Sequence, residues 1–141
     1  MTFEYKDHEA DIGIVGIGNT IEQAFEQGAK GMFSLLCNIK KVEKNEQINI
    51  KCNAPDYETL FVEWLNELLS KKDIENMFFS EFKIEKIERV NDELKLTAKV
   101  FGEKINIKKH EPKIEVKAAT YSGLKFKKKD GKYYIQCVVD V

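Results

Sequence analysis

Long apolar runs are missing from this chain of 141 residues. No stretch approaches the roughly 18 apolar residues that suggest a membrane-spanning helix, and "MTFEYKDHEAD" at the start has no apolar core behind basic residues of the kind an export signal carries. The expected address is the cytoplasm, with no membrane partner. Proline is scarce, with 2 residues, and the 8 glycines are scattered. That leaves little room for a linker, a repeat or a disordered arm. The 43% apolar and 33% charged fractions are those of a globular chain able to bury a real core, so residues 1–141 are expected to form one domain.

Excess charge of either sign is missing too. With 23 basic and 24 acidic residues the net charge is −1, so the overall positive field that sequence-independent nucleic-acid binding normally needs is not there. A stand-alone RNA or DNA binder is disfavoured. Cysteine is sparse and odd in number. Cys37, Cys52 and Cys137 are far apart, form no CxxC pair and lie in apolar stretches, which reads as three buried thiols in a reducing compartment. No serine has a nucleophile-elbow context, and "GIVGIG" places its glycines on a strand pattern that matches neither nucleotide fingerprint.

What is present is clear periodicity. "TFEY" and "IGIVGIG" read as two opening strands. Ile21, Ala24, Phe25, Ala29, Met32, Phe33 and Leu36 then recur at helical spacing, with Thr20 and Gln23 forming a capping box at the start. "QINIKCNA" alternates as a strand, and Tyr57, Leu60, Phe61, Trp64, Leu65 and Leu68 form a second helical stripe behind Asp56 as N-cap. Period two follows: one hairpin about Asn91-Asp92 and another about Asp130-Gly131. The fold class expected is α+β, a two-layer sandwich of a mainly antiparallel or mixed sheet with two principal helices on one face. In "KKHEPKIEVKAATYSG", Ile114, Val116 and Ala118 alternate with Lys113, Glu115 and Lys117, the pattern of a lysine-guarded edge strand.

Two charged features remain. "DHEADIG" crowds Asp7, His8, Glu9 and Asp11 between the opening strands, where a solvated turn, a metal cradle and an acid/base site all remain open. At the other end, a strand of high propensity ends at Asp140 and Val141, putting a side-chain carboxylate beside the α-carboxylate where termini usually fray. Zinc is disfavoured, since His8 and His110 are the only histidines and have no paired spacing. A cation bound here would be hard and oxygen-ligated, calcium or magnesium first.

Together "DHEADIG", "TIEQAFEQGAKGMF", "LFVEWLNELL", "HEPKIEVKAATYSGL" and the terminal "VVDV" resemble the archease family, in order from residue 3 to residue 141. The resemblance implies an accessory protein of the RtcB class of RNA-splicing ligases in tRNA processing. Such a protein promotes ligase guanylylation and multiple turnover, is not itself an enzyme, and meets RNA only through the ligase. It also implies a calcium site, with magnesium or another divalent cation as substitute, at Asp11, Asp140 and the main chain of Val141. His8, His110, Lys113, Glu115, Lys117 and Thr120 are its candidates for partner contact or for support around the ion. Two other functions fit the same residues. One is a divalent-metal phosphoesterase using His8 or His110 as general base. The other is a chaperone-like interaction module whose ion is structural.

Overall fold

The computed structural model describes residues 1–8 and 11–141, with the side chains of Asp7 and His8 outside the description. β1 (Thr2–His8) and β2 (Asp11–Gly18) lead into α1 (Ile21–Leu36). The Thr20 hydroxyl accepts from the Gln23 amide at 3.1 Å, and Gln23 reaches back to the Asn19 amide at 3.0 Å, so the capping box closes one residue further out than its usual form. β3 (Glu46–Ala54) and α2 (Tyr57–Glu75) follow, with Asp56 accepting from the Thr59 amide at 2.8 Å. Asn76, at φ 55°, ends α2 in the left-handed conformation that Asn tolerates.

β4 (Met77–Val90) and β5 (Glu93–Lys104) form the first expected hairpin. A short turn of helix, α3 (Ile107–His110), precedes β6 (Ala118–Ala119). The second expected hairpin is β7 (Lys125–Lys129) with β8 (Lys132–Asp140). Its Asp130-Gly131 turn has φ of 52° and 76°, the paired positive values that match the twist of adjoining strands.

The α+β expectation with antiparallel pairing holds, but among the described residues the strands divide into two sheets. β1, β2 and β8 run side by side, with β6 and β7 sharing the far edge of β8; separately, β3, β5 and β4 form a three-stranded sheet. α1 and α2 each touch both sheets. Ile14, Ile135, Cys137 and Val139, all at 0% exposure, meet Phe25, Phe33, Phe61 and Trp64 in one continuous core, and the Trp64 indole donates to the Phe25 carbonyl at 3.0 Å, tying α2 to α1.

The lysine-alternating segment departs from expectation. Only Ala118 and Ala119 pair as strand; residues 111–117 are irregular. The reason is where their backbone donors go. Lys113 and Ile114 give their amides to the carbonyls of Leu36 and Leu35, at 2.9 and 3.2 Å, so the segment caps the C-terminal end of α1 instead of joining a ladder.

Candidate functional site

Strand register decides which carboxylates meet. Asp11 opens β2 and Asp140 closes β8, and they are direct partners across adjacent antiparallel strands. Because side chains alternate, the burial of Ile14 and Cys137 against the helices sends Asp11 and Asp140 to the opposite, outer face. Directly opposite like charges destabilise a sheet. Both aspartates are half-buried, and among the described residues neither side chain has a hydrogen-bond or ion-pair partner. His8 is the register partner of Asp11 on the other side, so the row reads His8, Asp11, Asp140, Ala118 across four strands. The histidine's side chain, like Glu9, lies outside the described residues.

The far side of Asp140 is held by the 111–121 segment. Lys117 donates its amide to the Asp140 carbonyl at 2.8 Å, and Thr120 gives both its amide and its hydroxyl to the Val138 carbonyl, each at 2.9 Å. Val141 follows Asp140 in the chain, and its side chain is partly buried against the core. Glu115 is exposed. Lys113 is exposed as well, and its ammonium reaches the Ser34 carbonyl at 3.3 Å, a cation placed on the negative end of α1. Asp11, Asp140, Lys117 and Thr120 are thus gathered at one place, and Lys113 stands at the start of the segment that leads there.

His110 does not join them. It is 0% exposed; its Nδ1 accepts from the Asn106 amide at 3.0 Å, so its proton sits on Nε2, which donates to Glu103 at 2.8 Å. Both ring nitrogens are occupied, and the ring has no open path to a partner or substrate. Glu103 also accepts from the Glu43 amide at 2.9 Å and pairs with Lys109 at 2.8 Å. Burial alone pushes its carboxyl up, but these three donors outweigh that effect and hold it at about 2. The cysteines are equally unsuited to chemistry: burial pushes Cys37 to about 11 and both Cys52 and Cys137 to about 12.

Two supporting residues escape a sequence reading. Asn66, on α2, brackets one buried residue, donating to the Ala119 carbonyl at 3.0 Å and accepting from the Ala119 amide at 2.8 Å. The Tyr121 hydroxyl donates to Glu63, one turn earlier on α2. A helix therefore supplies the partner that β6 lacks on its open edge. The one local signal was an asparagine inside a helix, where its propensity is poor.

The fit of this row to a cation is that of a partial oxygen site. Two adjacent carboxylates without counter-charge suit a hard divalent ion, yet among the described residues no group of three or more His, Cys, Asp or Glu side chains is placed to hold a metal. Further oxygens would have to come from main chain, water or another molecule. Among the described residues no helix is long and apolar enough to cross a membrane.

Residues 3–141 match the model of the Archease protein family (MTH1598/TM1083). Similar curated proteins include Protein archease of Pyrococcus furiosus, 43% identical over 140 residues that cover 99% of this chain and 98% of the relative. Protein archease of Methanosarcina barkeri is 37% identical, covering 99% and 95%. The solution structure of Methanobacterium thermoautotrophicum protein 1598 superposes with a TM-score of 0.84 at 33% identity, covering 99% of this chain and 98% of that one. A Thermotoga maritima crystal structure titled an archease and possible chaperone shares the fold, with a TM-score of 0.57 at 21% identity and coverage of 96% and 94%.

Proposed function

The chain belongs to the archease family, and from that premise we propose that it is an accessory protein of an RtcB-type RNA ligase in tRNA splicing and RNA repair, stimulating guanylylation and turnover without being the catalyst. In this reading a divalent cation, calcium or in its place magnesium, is held by Asp11, Asp140 and the main chain of Val141. The observation that carries the reading is the Asp11–Asp140 register pair, half-buried and without counter-charge among the described residues. Two carboxylates in that relation repel. A divalent ion supplies the charge that makes the arrangement favourable and leaves coordination positions for oxygens of a partner.

The protein's own share of the work is positional. The Lys117 amide fixes the Asp140 carbonyl, and the double contact of Thr120 on Val138 holds the strand two residues back, so the row is presented on a braced edge. Lys113, Glu115 and Lys117, on the segment that leads to the row, are exposed charges for a ligase surface.

The test measures guanylylated ligase in single-turnover and multiple-turnover assays. Stimulation by the wild-type protein is lost with Asp11→Ala and with Asp140→Ala, while calorimetry shows calcium affinity falling by about 100-fold or more, beyond the loss expected for an outer-sphere partner. Full stimulation by both folded variants sinks the role of the row. A competing reading, an interaction module with a purely structural ion, draws on the exposed apolar side chains Ile74, Ile107, Ile114 and Tyr121. Under that reading Asp11→Asn lowers thermal stability in calcium, yet stimulation survives wherever the variant is folded.

A further inference from the structure

The outer face of the five-stranded sheet has a second feature, four residues along β8 from the acidic row. There the register aligns Glu4, Val15, Gln136 and Lys125, and the next row sets Tyr134 against Lys127. Val15 is short, and the side chains on either side of it are long. The result is a groove of about 190 Å³, floored by Val15 and walled by Lys6 of β1 on one side and by Lys125 and Lys127 of β7 on the other. At 3.3 Å per residue, the groove and the Asp11–Asp140 row are roughly 13 Å apart on one face.

The charge in this groove runs against that of the whole chain. Three ammonium groups line it against one carboxylate, Glu4, in a protein of net charge −1. Glu4 lies 3.9 Å from Lys6, and both side chains are more than half exposed, so water screens the pair and it neutralises little. Among the described residues Lys125 and Lys127 have no carboxylate partner. Lys127 is also positioned: its Nζ lies 5.1 Å from the centroid of the Tyr134 ring, which holds the ammonium at the wall of the groove when it would otherwise extend into solvent. Lysines on the edge strand β7 would resist sheet-to-sheet pairing wherever they pointed. Edge protection would suit Lys6 too, since β1 is the other edge of the sheet, but it does not account for all three lysines lining one groove together with an aromatic ring.

We infer that this groove binds a nucleotide through its phosphate, with Lys6, Lys125 and Lys127 as the cationic contacts and the ring of Tyr134 against the sugar or base. Converging ammonium groups select a phosphate, and an aromatic face selects what is attached to it. The volume is below that of sites for drug-sized molecules and suits a phosphate with its ribose, not an extended ligand. The inference is independent of any ion at Asp11 and Asp140.

The experiment is a titration of the ¹⁵N-labelled protein with adenosine 5′-monophosphate, in chelator so that no divalent ion takes part. Amide shifts are expected on Val15, Tyr134 and Gln136. Adenosine and inorganic phosphate should each bind more weakly than the nucleotide. The double variant Lys125→Glu with Lys127→Glu lowers affinity by about tenfold or more, through loss of charge-assisted contacts, and Lys125→Gln with Lys127→Gln moves it in the same direction. Lys51→Glu with Lys95→Glu makes the same change of charge on the outer face of the other sheet and alters affinity by less than about twofold, as expected for distant screened charges. Shifts mapping away from the groove, adenosine or phosphate binding as tightly as the nucleotide, or equal losses in the two reversed-charge variants would overturn the inference.

Discussion

Glu103 shows how a residue that reads as surface charge becomes a structural anchor. Its carboxylate collects the Glu43 amide, the Lys109 ammonium and the Nε2 proton of buried His110. Because these contacts hold its folded pKa near 2, below the ordinary carboxylate range, the stability it contributes is fully present above pH 4.5 and is lost as pH falls from there towards 2. Glu103→Gln should therefore destabilise the protein by about 1–3 kcal/mol at pH 7. It should also flatten the acid limb of a plot of urea midpoint against pH between about 5 and 2, where the wild type falls more steeply. An unchanged acid limb would show that the cluster contributes nothing to acid stability. None of this was legible from His110 in sequence, where it stood as a candidate for partner contact or general base, because burial and the Asn106 amide are contacts made by folding. Asp11 and Asp140 were nameable only through resemblance. The pattern of β8 gave the face of Asp140, while nothing local gave the register that sets it against Asp11.

Elements were legible where their signals are local. Thr20 and Asp56 cap α1 and α2 as expected, and the Asn91-Asp92 and Asp130-Gly131 turns form at their hairpins. The alternating block from Lys113 to Ala118 misled because period two records which side chains face inward, not what the backbone donors bond to. Its first two amides, of Lys113 and Ile114, are used on the last turn of α1, 77 or more residues earlier. Beyond it the two-residue β6 has α2 in place of a second strand neighbour, through Asn66. Asn66→Ala leaves the buried Ala119 amide and carbonyl without partners and should cost about 1–3 kcal/mol. Hydrogen exchange should speed up at Ala119 and Thr120 well beyond the change at Ile14 in the sheet centre. Asn66→Asp, which keeps the acceptor and loses the donor, should fall between. If exchange rises equally at all three amides, the bracket has no local role and the variant is only globally weaker.

At the scale of the molecule, both helices lie between two antiparallel sheets, and this layering depends on approaches that period-based reading cannot see. One strand after another alternates correctly whether the strands share a sheet or not, so the sequence pattern gave the count of faces but not their partition. One such close approach is where α1 lies on β2. A methyl group built on Gly16 would come within 2.0 Å of the Ala24 carbonyl oxygen, a backbone atom that cannot turn aside. Gly16 is on the inner face with Ile14, so Gly16→Ala forces α1 away from the sheet and loosens Phe25, which packs edge-on against Phe61 at 5.2 Å. The cost belongs at the upper end of the roughly 1–3 kcal/mol of overpacking, a fall in Tm on the order of 10 °C. Gly131→Ala offers the contrast: nothing lies within 4 Å of the added methyl, and only the φ of 76° opposes it, a penalty of roughly 1–2 kcal/mol. If melting curves place Gly16→Ala no lower than Gly131→Ala, the close seating of α1 on β2 is not what limits the separation of the layers. If Gly16→Ala is clearly the lower and Phe25→Leu in that background loses less than it does alone, the helix has lifted and the aromatic contact has already been given up.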